Sequence, residues 1–525
     1  MPCATVRCPT YTVRHLETLV HLSTRLDCDL VAVEQDDELT LLVELNAPAP
    51  STQKPRQPAT LQIVLDRSGS MGGGRLTGAT AALSALVDRL DPRDNLGVVA
   101  FDDHVQVVAP TAPLMHKAAV KEAISAVHAG GSTDLSAGYL RGLQEVLRAA
   151  DPAGATVLLV SDGHANAGVT DAVQLGNVAA HAHTQGVTTS TLGFGLGYDE
   201  RLLAALARGG AGNELFAEEA DTAVALISGE VDGLLAQVAQ AALLRLRWTP
   251  HIAGATTVLN ELSWTGLPDG FLIELGSFYA GETRRLLIHL QVPRIAALGL
   301  AQVATLELTH VALPELVQHT TTLPLHVNVV PGDQAAGRVP DPEVRSEALF
   351  QQTQQAKRRS GHLLSEGRVE EASRVLRETS AGLRSQAAAL PEAVAVELFE
   401  EAELVSSLAD EAEHDSRRAA KVASTDASMK SRTRGRHSRG GQVSLRWASG
   451  SRDVTDSCVL LEEWEVARLT RGLPPELVRA LRPSHGDVRP ADTALELAGL
   501  LGGGHPLHHF LTTAAAHGGF TVERA

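Results

Sequence analysis

The sequence is poor in cysteine and in aromatic residues, and each shortage excludes a class of protein. Only four cysteines occur among 525 residues, at Cys3, Cys8, Cys28 and Cys458, and no two of them form a C-x-x-C pair. This pattern argues against a disulfide framework and against a structural zinc site, and it favours a reducing compartment. Aromatic residues make up 3% of the chain, so its cores must be built mainly from leucine, valine and alanine.

Long apolar runs and excess positive charge are also missing. No apolar segment approaches the roughly 20 residues that a membrane-spanning helix needs, and the first residues lack the apolar core of a secretory signal. The formal net charge is -17, which argues against nonspecific binding of nucleic acid or membranes by the body of the protein. We therefore expect a cytoplasmic protein that does not bind membranes.

A buried strand followed by oxygen-bearing side chains occurs at Leu61 to Met71, LQIVLDRSGSM. The mostly apolar residues before Asp66 predict a strand, and Asp66, Ser68 and Ser70 follow it on a glycine-bearing turn. Ligands usually bind at the carboxyl ends of strands in an open α/β sheet. Because carboxylates and hydroxyls are hard oxygen donors, such a site suits Mg²⁺, Mn²⁺ or Ca²⁺ better than zinc or copper.

Two later stretches offer further oxygen ligands. GGSTDL places Thr133 in a glycine-permitted turn before a predicted helix, and ATVLLVSDG is a second buried strand that ends in Asp162. At this point the sequence resembles the von Willebrand factor A family, whose metal-ion-dependent adhesion site reads Asp-x-Ser-x-Ser, then Thr, then Asp. The resemblance extends over about residues 58–235, and it implies that the metal ligands are Asp66, Ser68, Ser70, Thr133 and Asp162.

The resemblance also implies a cofactor and a kind of partner. In this family the last ligand of the ion is usually a glutamate or aspartate carboxylate from a partner protein. We therefore expect a Mg²⁺ cofactor, with Mn²⁺ or Ca²⁺ as alternatives, and an adaptor role toward a protein that supplies this carboxylate. Similar bacterial cytoplasmic proteins imply an alternative, a subunit of a MoxR-type or chelatase-like AAA+ ATPase complex.

A metal-dependent hydrolase is the other alternative. Chemistry at the ion needs a base or nucleophile beside it, and the candidates are His164, two residues after Asp162, and Asp134, next to Thr133. The chain has no P-loop motif, and Gly72 to Gly74 lack the spacing of a dinucleotide-binding fingerprint. We expect a binding protein rather than an enzyme.

The rest of the chain predicts further domains around this one. Strands alternating with helices predict a doubly wound, mostly parallel α/β sheet, and later alternating apolar runs predict a companion antiparallel β-sandwich. We expect strands in Leu30 to Leu45 to complete this sandwich, so that the α/β domain is an insertion. The predicted parts are an N-terminal segment (1–58), the α/β domain (59–237), the sandwich (238–332), a three-helix bundle (341–415), a basic flexible linker (416–441) and a small C-terminal α+β domain (442–525).

Two C-terminal segments carry unusual polar patterns. Residues 416–441 hold eight basic residues against Asp426 alone, which indicates a flexible, solvated linker. The alternative is that this stretch contacts nucleic acid or the acidic body of the same protein. In the last domain, His505, His508, His509 and His517 have helical spacings that would allow a transition-metal site. Without cysteine or a paired carboxylate, packing is the simpler interpretation.

Overall fold

The computed structural model describes most of the chain up to Ser431 and short pieces beyond it. The described residues are 19–48, 56–149, 154–218, 220–250, 252 and 254–431, together with strands and a few helical residues after 442. The chain divides into two units, Met1–Arg436 and His437–Ala525. The four histidines considered above as a transition-metal site lie outside the described residues.

The α/β domain follows three N-terminal strands, β1 (His21–Leu26), β2 (Leu30–Ala32) and β3 (Asp37–Asn46). Its own elements are β4 (Thr60–Asp66), α1 (Arg75–Arg89), β5 (Asn95–Phe101), β6 (Val105–Pro113), α2 (Lys117–Ser125), α3 (Leu135–Ala149), β7 (Ala155–Ser161), α4 (Ala172–Thr184), β8 (Val187–Phe194), α5 (Glu200–Gly209), β9 (Ala211–Ala217) and α6 (Ala220–Leu235). The sheet order is β6-β5-β4-β7-β8-β9, and the neighbouring strands are parallel except for β5 and β6. The predicted mostly parallel, doubly wound sheet is therefore confirmed.

Two apolar cores cover the two faces of this sheet. Ile63 and Leu65 of β4 pack with α1 and α6 on one face, and Val64 packs with α3, α4 and α5 on the other. This division follows from the alternation of side chains along a strand. Because all seven residues of β4 are buried, the position of Asp66 at its carboxyl end is set by the sheet.

Two mainly antiparallel sheets form the second part of the fold. Their later strands are β10 (Gln237–Trp248), β11 (Ala255–Val258), β12 (Trp264–Leu267), β13 (Gly270–Tyr279), β14 (Thr283–Val292), β15 (Gly299–Ala312) and β16 (Val317–Val330). The orders are β1-β3-β14-β11 and β12-β13-β10-β15-β16-β2, and one core is shared by both sheets. Since β3 pairs with β14 and β2 pairs with β16, the α/β domain is inserted between strands of these sheets.

Helices follow the two sheets. They are α7 (Gly332–Ala335), α8 (Pro342–Ser365), α9 (Val369–Ala387), α10 (Glu392–His414) and α11 (Ser416–Ser431). The helical periodicity predicted α8, α9 and α10 correctly. The prediction of a flexible linker over 416–441 is wrong for its first 16 residues, which form α11. The remainder of that segment lies outside the described residues.

Contacts with acidic and aromatic partners explain why this basic segment packs against the rest of the fold. Lys421 is buried, donates hydrogen bonds to the Tyr198 carbonyl at 3.0 Å and to Glu200 Oε2 at 2.8 Å, and lies 3.8 Å from the centroid of the Tyr198 ring. Lys430 is also buried and donates to Glu401 Oε2 at 2.7 Å. These two charges are therefore compensated inside the protein rather than by solvent.

The C-terminal unit contains a sheet in its described part. Its strands are β17 (Val443–Trp447), β18 (Cys458–Leu461), β19 (Val488–Arg489) and β20 (Phe520–Arg524), in the order β18-β17-β20-β19. Among the helices that the structure describes across the chain, none combines the length and hydrophobicity that a membrane span requires.

Candidate metal centre

Three loops at the carboxyl edge of the parallel sheet bring the predicted site residues together. The first loop follows β4, the second precedes α3 and the third follows β7. Since β4 and β7 are neighbouring parallel strands, their carboxyl ends lie side by side. The loops carry, in this order, Asp66 with Ser68 and Ser70, then Thr133, then Asp162.

Asp66 is fully buried, and both of its carboxylate oxygens accept hydrogen bonds. The Ser68 backbone N–H donates to Oδ1 at 2.8 Å, and the Ser161 hydroxyl donates to Oδ2 at 2.6 Å. Burial raises the pKa of Asp66; hydrogen bonds from Ser161 and Ser68 oppose this shift, and the charge of Asp162 adds to it. A cation near Asp66 would favour its ionised form.

The two serine hydroxyls connect the first loop to Asp162. Ser68 Oγ and Ser70 Oγ are 3.0 Å apart, and the Ser70 hydroxyl donates to Asp162 Oδ1 at 2.7 Å. Oxygens that share an octahedral edge around Mg²⁺ are about 3 Å apart, because each lies about 2.1 Å from the ion. The spacing and the all-oxygen chemistry of this group therefore fit a hard divalent cation.

Gly163 lies between the Ser70 and Thr133 hydroxyls. A Cβ at this position would be 3.2 Å from Ser70 Oγ and 3.7 Å from Thr133 Oγ1, so the two hydroxyls border one space. Asn166 holds the second loop in place, since its Oδ1 accepts a hydrogen bond from the Thr133 N–H at 2.8 Å. Within the described residues, the Thr133 hydroxyl itself has no hydrogen-bond partner.

Arg75 is a neighbour of the site that the sequence analysis missed. Its Nη1 donates to Asp162 Oδ2 at 2.9 Å and to the Ser70 carbonyl at 3.1 Å. No local pattern connects the first residue of α1 with a strand end 87 positions away. Ser161 was also missed, although it directly precedes Asp162 in the sequence.

The two candidate catalytic groups have other partners. Asp134 Oδ1 accepts hydrogen bonds from the Ser136 hydroxyl at 2.7 Å and the Ala137 N–H at 2.9 Å, which is how a residue caps a helix N-terminus. His164 is 69% exposed at its side chain, and its Nδ1 lies 3.6 Å from Asp199 Oδ2. Asp134 therefore caps the N-terminus of α3, and the imidazole of His164 lies beside Asp199.

A further acidic group lies on the loop between β5 and β6. Potential ligand atoms of Asp102, Asp103 and His104 lie within 4.8 Å of one another. Asp102 Oδ2 is 3.1 Å from Arg67 Nε, and Asp103 Oδ1 is 3.2 Å from His104 Nδ1. Arg67 thus compensates the charge of Asp102, whose carbonyl accepts a hydrogen bond from the Asp134 N–H next to Thr133.

The fold and the site define a doubly wound α/β domain with oxygen donors at the carboxyl edge of its sheet. The family model described as the von Willebrand factor type A domain matches residues 61–228. This part of the chain is a von Willebrand factor type A (VWA) domain, as its sequence motifs predicted.

Two curated bacterial proteins are similar to part of this chain. The chain is similar to the uncharacterized protein sll0103 of Synechocystis, with 30% identity over 215 residues, which are 38% of this chain and 49% of that protein. It is also similar to the uncharacterized protein YfbK of Escherichia coli, with 28% identity over 218 residues, 41% of this chain and 38% of that protein. The chain thus spans about half the length of these curated relatives, or less.

A solved structure extends the likeness beyond the VWA domain. The von Willebrand factor type A protein from Catenulispora acidiphila has a TM-score of 0.62 and 15% identity, covering 79% of this chain and 98% of that one. At this identity the likeness concerns the fold alone. Its coverage shows that the VWA domain and much of the structure around it occur together in both proteins.

Proposed function

We propose that this protein binds a partner protein through a divalent cation held by the five oxygen-bearing side chains at the sheet edge. The VWA family suggests a protein-interaction role. The observation that carries the proposal is the convergence of three loops on one hydroxyl and carboxylate cluster, with neighbouring oxygens 2.7 and 3.0 Å apart. The proposed ligands are Asp66, Ser68, Ser70, Thr133 and Asp162.

The composition of this donor set favours binding of an anionic group. Three of the five donors are neutral hydroxyls. The charge of the donor set therefore comes from two carboxylates, which neutralise a divalent ion without exceeding its charge. When bound, Mg²⁺ supplies a Lewis-acidic centre that attracts a further carboxylate oxygen. We therefore propose that the partner contributes an aspartate or glutamate, and that Mn²⁺ and Ca²⁺ are alternative ions.

The surrounding hydrogen bonds support this role by orienting the ligands. Ser161 holds one oxygen of Asp66, and Asn166 holds the backbone of Thr133. Groups that orient metal ligands in this way contribute strongly to metal affinity in other proteins. The positions of Asp134 and His164 favour binding over hydrolysis, because the first caps a helix and the second faces Asp199.

We propose a cytoplasmic setting, which the low cysteine content supports, and a MoxR-type AAA+ ATPase as the first partner class to test. The experiment has two steps. The first titrates the full chain with Mn²⁺ and detects binding by electron paramagnetic resonance. The second measures capture of the purified ATPase, and of co-purifying proteins, in Mg²⁺ and in EDTA.

Matched variants make this experiment specific to the site. Asp66→Asn should abolish both Mn²⁺ binding and cation-dependent capture. Asp171→Asn is the control, because Asp171 is an exposed cap of α4 in the same domain and should leave both unchanged. Equal capture in Mg²⁺ and EDTA, or full Mn²⁺ binding by Asp66→Asn, would contradict the proposal.

A further inference from the structure

Two histidines face each other across the hairpin of β15 and β16. His310 and His319 are directly opposite in the antiparallel register. Their ring centroids are 5.8 Å apart, and the ring planes differ by 32°. Because opposite residues of an antiparallel pair point to the same face, both imidazoles lie on one side of the hairpin.

His310 is buried without a hydrogen bond. Its exposed fraction is 0%, and neither Nδ1 nor Nε2 has a hydrogen-bond partner in the described part of the chain. A neutral imidazole carries one donor and one acceptor nitrogen, and buried polar groups in folded proteins are nearly always paired. The buried ring therefore offers a nitrogen that a bound ligand can use.

The protonation state of His310 suits a metal ligand. Burial, together with the neighbouring His319, lowers the pKa of His310 to about 4. The ring is consequently neutral at physiological pH, and neutral imidazole is the form that coordinates metals.

We propose that His310 and His319 bind a transition-metal ion of the Zn²⁺, Ni²⁺ or Cu²⁺ class, for which imidazole is a suitable ligand. A tetrahedral ion with metal–nitrogen bonds of about 2.0 Å holds two imidazole centroids about 5 Å apart. The observed 5.8 Å separation of the centroids is within about 1 Å of this value. His319 is partly exposed, so an ion can reach the pair from solvent.

This site differs in chemistry and location from the oxygen cluster of the VWA domain. Nitrogen ligands select a borderline ion, whereas hydroxyls and carboxylates select a hard one. An ion bound to both strands cross-links β15 and β16 two residues from the β15 end, since β15 ends at Ala312. Because the unfolded chain does not hold the two rings together, the ion stabilises the folded hairpin.

The test uses untagged full-length protein with excess Mg²⁺ present, and it measures Zn²⁺ uptake by equilibrium dialysis. His319→Gln should take up one Zn²⁺ fewer per chain than the wild type. His326→Gln is the matched control, because His326 is exposed on the opposite face of the same strand and should retain the wild-type stoichiometry. Zinc bound by other histidines is common to all three proteins and cancels in the difference.

A second measurement does not depend on stoichiometry. Zn²⁺ should raise the unfolding temperature of the wild type and of His326→Gln more than that of His319→Gln. Cu²⁺ in place of Zn²⁺ should give a paramagnetic resonance signal split by two imidazole nitrogens, and His319→Gln should lose this signal. Equal Zn²⁺ uptake by the wild type and His319→Gln overturns the proposal.

Discussion

The Ser70 hydroxyl donates a 2.7 Å hydrogen bond to Asp162 Oδ1, although 92 positions separate the two residues. This bond joins the loop after β4 to the loop after β7. Every residue of these two strands is buried, so the loops start from fixed positions. The sheet therefore preorganises the candidate site, which is what accurate placement of ligands requires.

Gly163 provides the first prediction. A Cβ at this position would come within 3.2 Å of Ser70 Oγ, and the glycine does not have a left-handed backbone conformation. We expect Gly163→Ala to fold normally and to weaken cation binding by roughly ten- to hundredfold, the range for disturbed support of a metal ligand. Calorimetric titration with Mn²⁺ measures this change in affinity. Gly130→Ala is the control, since an added Cβ there has nothing within 4 Å, and equal weakening in both variants would contradict the explanation.

Arg75 provides a second prediction because it competes for Asp162. Its guanidinium donates to Asp162 Oδ2 at 2.9 Å, and its side chain is 42% exposed. Removing this positive charge frees the carboxylate and reduces repulsion of a cation. We expect Arg75→Gln to bind Mn²⁺ about two- to fivefold more tightly, since exposed ion pairs are weak, and the gain should shrink as salt increases.

The control for Arg75 lies on the same helix. Arg89 ends α1 and pairs with Asp232, so Arg89→Gln removes the same charge without touching the site. Its Mn²⁺ affinity should equal that of the wild type. Weaker binding by Arg75→Gln would instead mean that Arg75 positions Asp162.

The features predicted well from sequence are those with local signals. Asp66, Ser68 and Ser70 follow a strand that is apolar on both faces, and the Thr133 turn and the strand before Asp162 have similarly local patterns. The periodicity of α8, α9 and α10 is also local. Such patterns identify each loop but not its contacts, which is why Arg75 was missed.

The error over residues 416–431 has the same physical origin. Composition counts the lysines of this segment but does not show their partners. Glu200 and Glu401 are distant in sequence, and only the folded chain brings them to Lys421 and Lys430. A basic segment is therefore solvated only if no acidic groups elsewhere in the fold pair with its charges.

Lys421 provides a third prediction, because it joins α11 to the VWA domain. It is 4% exposed and bonds to Glu200 and to the Tyr198 carbonyl. Lys421→Met keeps the apolar stem but leaves these acceptors without their donor. We expect a loss of about 1–3 kcal/mol in the free energy of unfolding, the usual range for an unsatisfied buried group. Urea denaturation measures it, with Arg417→Met on the exposed face of α11 as a control that should be neutral.

The last prediction concerns the acid sensitivity of the helices. Glu401 is buried between Lys357 and Lys430 and accepts a 2.7 Å hydrogen bond from each ammonium group. Burial opposes its charge, but the two lysines lower the pKa of Glu401 to about 2. In the unfolded chain a glutamate has a pKa of about 4.3. Between these values the unfolded chain binds a proton that the folded chain does not, so the stability that Glu401 contributes is present above about pH 4.3 and is lost as the pH falls toward 2.

Glu401→Gln tests this pH dependence. At pH 7 the variant leaves two buried ammonium groups with less compensation, and we expect a loss of about 3–5 kcal/mol, as for other broken buried ion pairs. The difference from the wild type should shrink at pH 3, because the wild type is then losing the same contribution. Glu403→Gln on the exposed face of α10 should show little effect at either pH. A difference that stays constant from pH 7 to pH 3 would mean that Glu401 is not held ionised by its two lysines.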